Sequence, residues 1–107
     1  ILSVSLHAGV EYQVQPNDFQ KKFATTAIDA GANLIIGHHP HVLQPLKQYK
    51  QGWIIYSLGN FLFDQNFSEK TMQGAILKVI VEDKKIKEAS LLPTHIIPTF
   101  QVELAPQ

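Results

Sequence analysis

Four of the five histidines in this chain fall in two short stretches, His7 in one and His38, His39 and His41 in the other. A neutral imidazole is the side chain most often used to bind transition metals at neutral pH, and it also serves as a general acid or base. A His-x-His pair such as His39 and His41 can present two rings to one site or to two neighbouring ions. Pro40 between them stiffens the link and biases His39 toward an extended backbone. The alternative for this cluster is hydrogen bonding inside a proline-containing turn. Glu11, four residues after His7, has the chemistry of a carboxylate ligand or general base, and equally of a solvated loop acid. Ser57-Leu58-Gly59-Asn60-Phe61-Leu62-Phe63-Asp64 is the other candidate segment. Gly59 can take a backbone shape closed to other residues and Asn60 follows it at a strand end, although an ordinary Gly-Asn turn has the same appearance.

The elements that would position these groups follow from periodicity. Leu2, Val4 and Leu6 alternate with Ser3, Ser5 and His7, the period-two pattern of a strand over residues 1 to 7 that ends at His7. Asn17 stands where a helix N-cap would, Asp18 falls in the first turn and Gln20 at the capping-box position. Phe19, Phe23, Ala27 and Ile28 recur at helical spacing and Gly31 suits the helix stop, which predicts an amphipathic helix over 18–30. Ala32 to Ile36 is a short apolar run ending at Gly37, as in a parallel strand buried on both faces. Strand, helix and strand make a βαβ unit whose two C-terminal strand ends open onto one edge. His7 to Glu11 and Gly37 to Gln44 would therefore face each other.

The second half reads as mostly antiparallel strands at Pro45–Lys50, Trp53–Leu58, Gly74–Glu82 and Ile86–Leu92, with turns at Gln51-Gly52 and Asp83-Lys84-Lys85. Beyond Pro93, the prolines at 98 and 106 predict an extended strap with little regular structure. The aromatics Phe61, Phe63 and Phe67 are expected to pack a core, and His95 to be structural.

Composition narrows the function classes. Nine acids balance nine bases, all of them lysine, so no long-range field favours nucleic acid or anionic lipid and no arginine is present to clamp a phosphate. Absence of cysteine excludes disulfides, thiolate metal sites and a cysteine nucleophile. Ser57 lies in no G-x-S-x-G elbow, and no Walker or dinucleotide glycine pattern occurs. No apolar run reaches the roughly 20 residues that span a bilayer. A strand beginning at the first residue, with no leader before it, gives the expectation that the 107 residues are a piece of a longer protein.

Three blocks carry a family resemblance: His7-Ala8-Gly9-Val10-Glu11-Tyr12; Ile28-Asp29-Ala30-Gly31-Ala32-Asn33-Leu34-Ile35-Ile36-Gly37-His38-His39-Pro40-His41-Val42-Leu43-Gln44; and Tyr56-Ser57-Leu58-Gly59-Asn60-Phe61-Leu62-Phe63-Asp64. In this order they resemble the bacterial capsule synthesis family known as CapA or PgsA, of poly-gamma-glutamate biosynthesis. The likeness is dense to about residue 65 and one of pattern only over 66 to 107. It implies an α/β (α+β) fold, the C-terminal portion of a metallophosphatase-like αββα sandwich related to calcineurin-like metallophosphoesterases. One βαβ unit would be followed by mostly antiparallel strands, and 1–107 would be a partial domain whose N-terminal half is absent.

By the same resemblance His7, His39 and His41 are metal ligands, while Glu11, His38 and Asn60 take catalytic or supporting places. An alignment through Gly37-His38 selects His38 as ligand instead, and that choice stays open. Ala8 stands where family members usually carry tryptophan, and the family's early aspartate and Asn-His motifs have no counterpart here. The complete protein is thus expected to hold a divalent metal, Mn, Fe or Zn, whereas this stretch lacks the early ligands and need not bind metal or act as an enzyme alone.

Implied partners are the N-terminal half of its own fold, other capsule synthesis proteins and the polyglutamate polymer, with self-association through an uncovered sheet edge. Nucleic acid is not expected. The implied location is extracellular or at the cell surface, with membrane attachment through a segment outside this chain. Two other functions are compatible with the same residues: a non-catalytic scaffold or polymer-binding domain, and a metal-dependent phosphoesterase or amide hydrolase unrelated to capsule.

Overall fold

A computed structural model describes residues 1 to 106. Strand β1 (Ser3–His7), helix α1 (Asp18–Asp29) and strand β2 (Leu34–His38) form the expected βαβ unit, with β1 and β2 parallel from Ser3 opposite Leu34 to His7 opposite His38. The helix starts where its capping box requires. Asn17 Oδ1 accepts from the Gln20 amide at 2.9 Å, and Gln20 Oε1 accepts from the Asn17 amide at 2.8 Å. Strands β3 (Leu46–Tyr49) and β4 (Gly52–Ile55) make a hairpin, and β4 joins β2 in parallel, giving the order β1-β2-β4-β3. The two-residue loop is Lys50-Gln51, one position earlier than expected, because Gly52 pairs with Tyr49 inside the ladder. A Cβ at Gly52 would stand 2.8 Å from Ile28 Cδ1, so any larger residue there would have to displace the Ile28 side chain.

The helix turns a different face to the sheet from the one its phenylalanines suggest. Ala24 and Ile28 pack with Ala32, Ile35, Ile54 and Tyr56, and Gln20 is buried beside them, whereas Phe19 is 60% exposed and Phe23 37%. Neighbouring helix positions lie about 100° apart, so a one-residue rotation exchanges the 19/23 stripe for the 20/24 stripe. Two facts favour the second: Ala24 lets the helix approach the sheet closely, and Gln20 has buried partners described below.

Strands β5 (Gln73–Glu82), β6 (Lys85–Ile96) and β7 (Val102–Leu104) form a second, antiparallel sheet in that order. Asp83 and Lys84, with φ of 52° and 64°, close the β5–β6 hairpin in the doubly positive shape that matches strand twist. The strap expected after Pro93 is instead regular structure: β6 runs through Pro93 to Ile96 and residues 102–104 add a strand. In a strand the N–H and C=O of one residue point to the same side. The Pro93 carbonyl accepts from Ala105 N at 2.9 Å, so its missing donor faces the end of short β7 and leaves the β5–β6 ladder whole. The fold is α+β: two sheets, one parallel βαβ unit and otherwise antiparallel pairings. An apolar cleft of about 450 Å³ opens between β2 (Leu34, Ile36) and β5 (Ala75, Leu77, Val79).

Candidate functional site

The parallel register of β1 and β2 puts His7 directly opposite His38, so both following loops leave the sheet at one edge. Two main-chain bonds tie those loops together, Ala8 N to the His38 carbonyl at 3.1 Å and Tyr12 N to the Pro40 carbonyl at 2.8 Å. Leu58 N donates to the Gly37 carbonyl at 3.2 Å and brings the segment after β4 alongside. His7, His38, His39, His41 and Asn60 therefore line one cavity of about 260 Å³, whose other wall is Phe61, Leu62 and Phe63. Sequence reasoning brought the four histidines and Glu11 to one edge; the structure adds Asn60 from the separate segment after β4 and leaves Glu11 exposed on its loop outside the cavity lining.

Ring geometry inside the cavity is specific. His7 and His39 lie 4.7 Å apart between centroids, His39 and His41 6.0 Å, and His41 stacks on Phe63 at 5.2 Å with planes 7° apart. His41 Nδ1 is 2.9 Å from Asn60 Oδ1, and Asn60 Nδ2 donates to the Thr71 carbonyl at 3.0 Å and to Gln65 Oε1 at 3.1 Å. Phe61, Phe63 and Phe67 do not form a core as expected, being 52%, 41% and 62% exposed. Phe61 and Phe63 line the cavity instead, with Phe63 stacked on His41, and Phe67 meets Tyr12 edge-on at 5.1 Å.

The same loops carry three non-glycine residues with positive φ. Tyr12, His39 and His41 have φ of 67°, 107° and 61°, values that favour glycine and cost about 1–3 kcal/mol each in other residues. The extended backbone expected at His39 is thus not found. Proline at the next position works against the α region but not against a positive φ, and the cross-loop bonds of His38 and Pro40 on either side hold the unusual shape.

The clamp behind the cavity was not visible in the sequence. Gln20 and Gln44, 1% and 2% exposed, are joined by Gln20 Nε2 donating to Gln44 Oε1 at 2.8 Å. Gln44 Nε2 in turn holds the carbonyls of Gln13 at 2.8 Å and Gln15 at 3.3 Å. The loop that follows His7 is so fastened to the segment that follows His41. Only the capping-box spacing singled out Gln20, and nothing local marks Gln44 or Gln65. Ser57, by contrast, is buried and its Oγ accepts from Gly59 N at 3.2 Å, the role of a turn residue.

Among the described residues no three His, Cys, Asp or Glu side chains are arranged to hold a metal ion. His7 and His39 lie close, their ring planes tilted by 47°. The chemistry of the donors nonetheless suits a transition metal, because the lining offers neutral imidazole nitrogens and the ring of His41 is held by an amide oxygen. Near the cavity mouth, burial and then the neighbouring Glu11 carboxylate push the Tyr12 phenol up, so it stays protonated at neutral pH.

A βαβ unit with a His-x-His loop at its strand ends, joined to an antiparallel sheet, defines a class of α+β protein with an imidazole-lined edge. The profile of the family described as bacterial capsule synthesis protein PGA_cap matches residues 1–65, and the chain belongs to that family. It is 42% identical over 96 residues to the capsule biosynthesis protein CapA of Bacillus anthracis, covering 90% of this chain and 23% of that protein. Against the PGA biosynthesis protein CapA of Bacillus subtilis (strain 168) it is 47% identical over 78 residues, 73% of this chain and 20% of the relative. The chain thus spans a quarter or less of the length of these relatives.

Proposed function

We propose that this chain is the part of a capsule biosynthesis protein that contributes the histidine loops of a divalent-metal site, in the making or export of poly-gamma-glutamate or a related polymer at the cell surface. The observation that carries it is the register of His7 against His38, which gathers four imidazoles into one cavity. Family membership and two relatives whose names refer to capsule or PGA biosynthesis support it. His7, His39 and His41 would hold the ion, with His38 as the other imidazole within reach. When bound, such an ion supplies Lewis-acid activation of a phosphoryl or amide group. Asn60 would orient His41, while Phe61, Leu62 and Phe63 would exclude water from one side of the cavity and guide the substrate. Glu11 would act from the loop rather than from the cavity wall.

Further ligands, including carboxylates, would come from the remainder of the parent protein, whose strands would also cover the apolar cleft between β2 and β5. Other capsule synthesis proteins would be its partners. Metal content of the full-length protein, before and after His39→Ala and His41→Ala, tests the assignment. A fall in bound Mn, Fe or Zn is expected, and unchanged content overturns it. The same cavity, with its apolar wall of Phe61, Leu62 and Phe63, also suits a second function, a scaffold that grips polymer without hydrolysing it. Incubating the parent with gamma-glutamyl polymer and Mn²⁺ or Zn²⁺ separates the two, since cleavage excludes the scaffold.

A further inference from the structure

The hydrogen bonds behind His41 have a direction that is fixed at one end. A main-chain carbonyl can only accept, so the Asn60 atom 3.0 Å from the Thr71 carbonyl is the amide nitrogen Nδ2. The Asn60 oxygen must then be the atom 2.9 Å from His41 Nδ1. A carboxamide oxygen can only accept in turn, so His41 Nδ1 carries the proton. The second Nδ2 proton of Asn60 reaches Gln65 Oε1 at 3.1 Å, which turns Gln65 Nε2 toward the Tyr12 hydroxyl at 3.4 Å. The main chain that carries Gln65 is held near Thr71, 0% exposed, whose hydroxyl lies 2.8 Å from the Gln65 carbonyl and 2.9 Å from that of Ser68. Flipping Asn60 would set its oxygen against the Thr71 carbonyl and waste a buried donor, at the cost of an unsatisfied polar group.

We propose that Asn60 is a positioning residue that fixes His41 as the Nδ1–H tautomer and leaves Nε2 as its bare lone pair, and that Gln65, with the Thr71 carbonyl, locks Asn60 in the required orientation. The stack of Phe63 on the His41 ring holds the ring plane, and Tyr12, bonded through its amide to Pro40, closes the chain of donors. The tautomer follows from these contacts alone. Its consequence, a nitrogen lone pair kept for an electrophile such as a divalent ion, rests on the proposed metal reading.

The test records two-bond ¹H–¹⁵N correlations of the histidine rings in metal-free protein at about pH 8, above the usual imidazole range, followed by Zn²⁺ titration. The protein is the full-length parent with only the relevant histidines labelled. Wild type is expected to show His41 protonated at Nδ1. Asn60→Leu is expected to move it toward the Nε2–H form and to weaken Zn²⁺ binding by about 10- to 100-fold. Asn60→Asp keeps an acceptor facing Nδ1 but opposes a carboxylate to the Thr71 carbonyl. It should therefore lose stability and yet retain the tautomer, which a merely structural role for Asn60 does not predict.

An Nε2–H signal in wild type overturns the proposal, as does an unchanged tautomer in folded Asn60→Leu. Should Asn60→Leu not fold, the wild-type and Asn60→Asp signals decide the matter in the same way. Wild-type protein that shows Nδ1–H and takes up no Zn²⁺ leaves the tautomer standing and overturns the metal reading instead.

Discussion

Replacing Gln44 by leucine should separate the loop after His7 from the loop that carries the other histidines, at a cost that can be worked out bond by bond. The side chain is 2% exposed, and its loss removes the acceptor of Gln20 Nε2 and the donor of the Gln13 and Gln15 carbonyls. Gln13 and Gln15 are exposed residues, so water can replace the donor they lose. Gln20 is 1% exposed, and its Nε2 would lose its Gln44 acceptor while Oε1 keeps the Asn17 amide. A buried unsatisfied donor costs about 1–3 kcal/mol and a lost net hydrogen bond about 1 kcal/mol, for a total of about 2–4 kcal/mol. Urea unfolding should show it as a lower midpoint with unchanged slope. Because removing both members of a buried pair is nearly neutral where removing one is costly, Gln20→Met combined with Gln44→Leu should lose at least about 1 kcal/mol less than the sum of the single variants. A loss below about 0.5 kcal/mol for Gln44→Leu, or strict additivity in the double variant, refutes the clamp as a source of loop order.

Three other outcomes are expected. Gly37→Ala would drive a Cβ into the Tyr56 carbonyl just past β4 and should cost more than about 3 kcal/mol, whereas Gly31→Ala has open space and only its positive φ to overcome, about 1–3 kcal/mol; an unfolding midpoint for Gly37→Ala no lower than that of Gly31→Ala would be against this. The exposed Asp29 carboxylate is held below its usual range chiefly by the hydrogen bond from Lys50, and the lysine is raised chiefly by the same bond. The small contribution of that pair should be present at neutral pH, fade as pH falls through the depressed carboxylate value and fade again as pH rises through the elevated lysine value. The stability difference between wild type and Asp29→Asn should follow that course, and a difference that persists unchanged in strong acid contradicts it. Phe63→Ala should release the His41 ring, costing about 0.5–1.5 kcal/mol of stacking and broadening its NMR signals, and a ring signal as sharp as wild type would show that Asn60 alone holds it.

Local chemistry was enough to read the βαβ unit, the helix start at Asn17 with Gln20, and the four-histidine edge, because capping, period-two alternation and strand-end geometry are short-range rules. Local chemistry also misled in places. Phe19 and Phe23 have the right spacing for a core face, yet the close helix–sheet approach at Ala24 and the buried partners of Gln20 put the neighbouring stripe inside. Pro93 looks like a strand breaker, but its effect depends on which side its missing N–H faces, and that side is decided by β7.

By itself the sequence determined the βαβ unit, most of the later strands up to Pro93, the family resemblance and the residues available for chemistry, since these show in residue types and short-range spacing. The tertiary structure alone decided which of those residues share a wall and which atom of each is free. Glu11 was left outside the cavity, Phe63 was laid on His41, and Asn60 was aimed by a carbonyl eleven residues away. Such contacts join segments that only the folded sheets bring together, and hydrogen-bond direction is a property of the whole chain of partners rather than of any one residue.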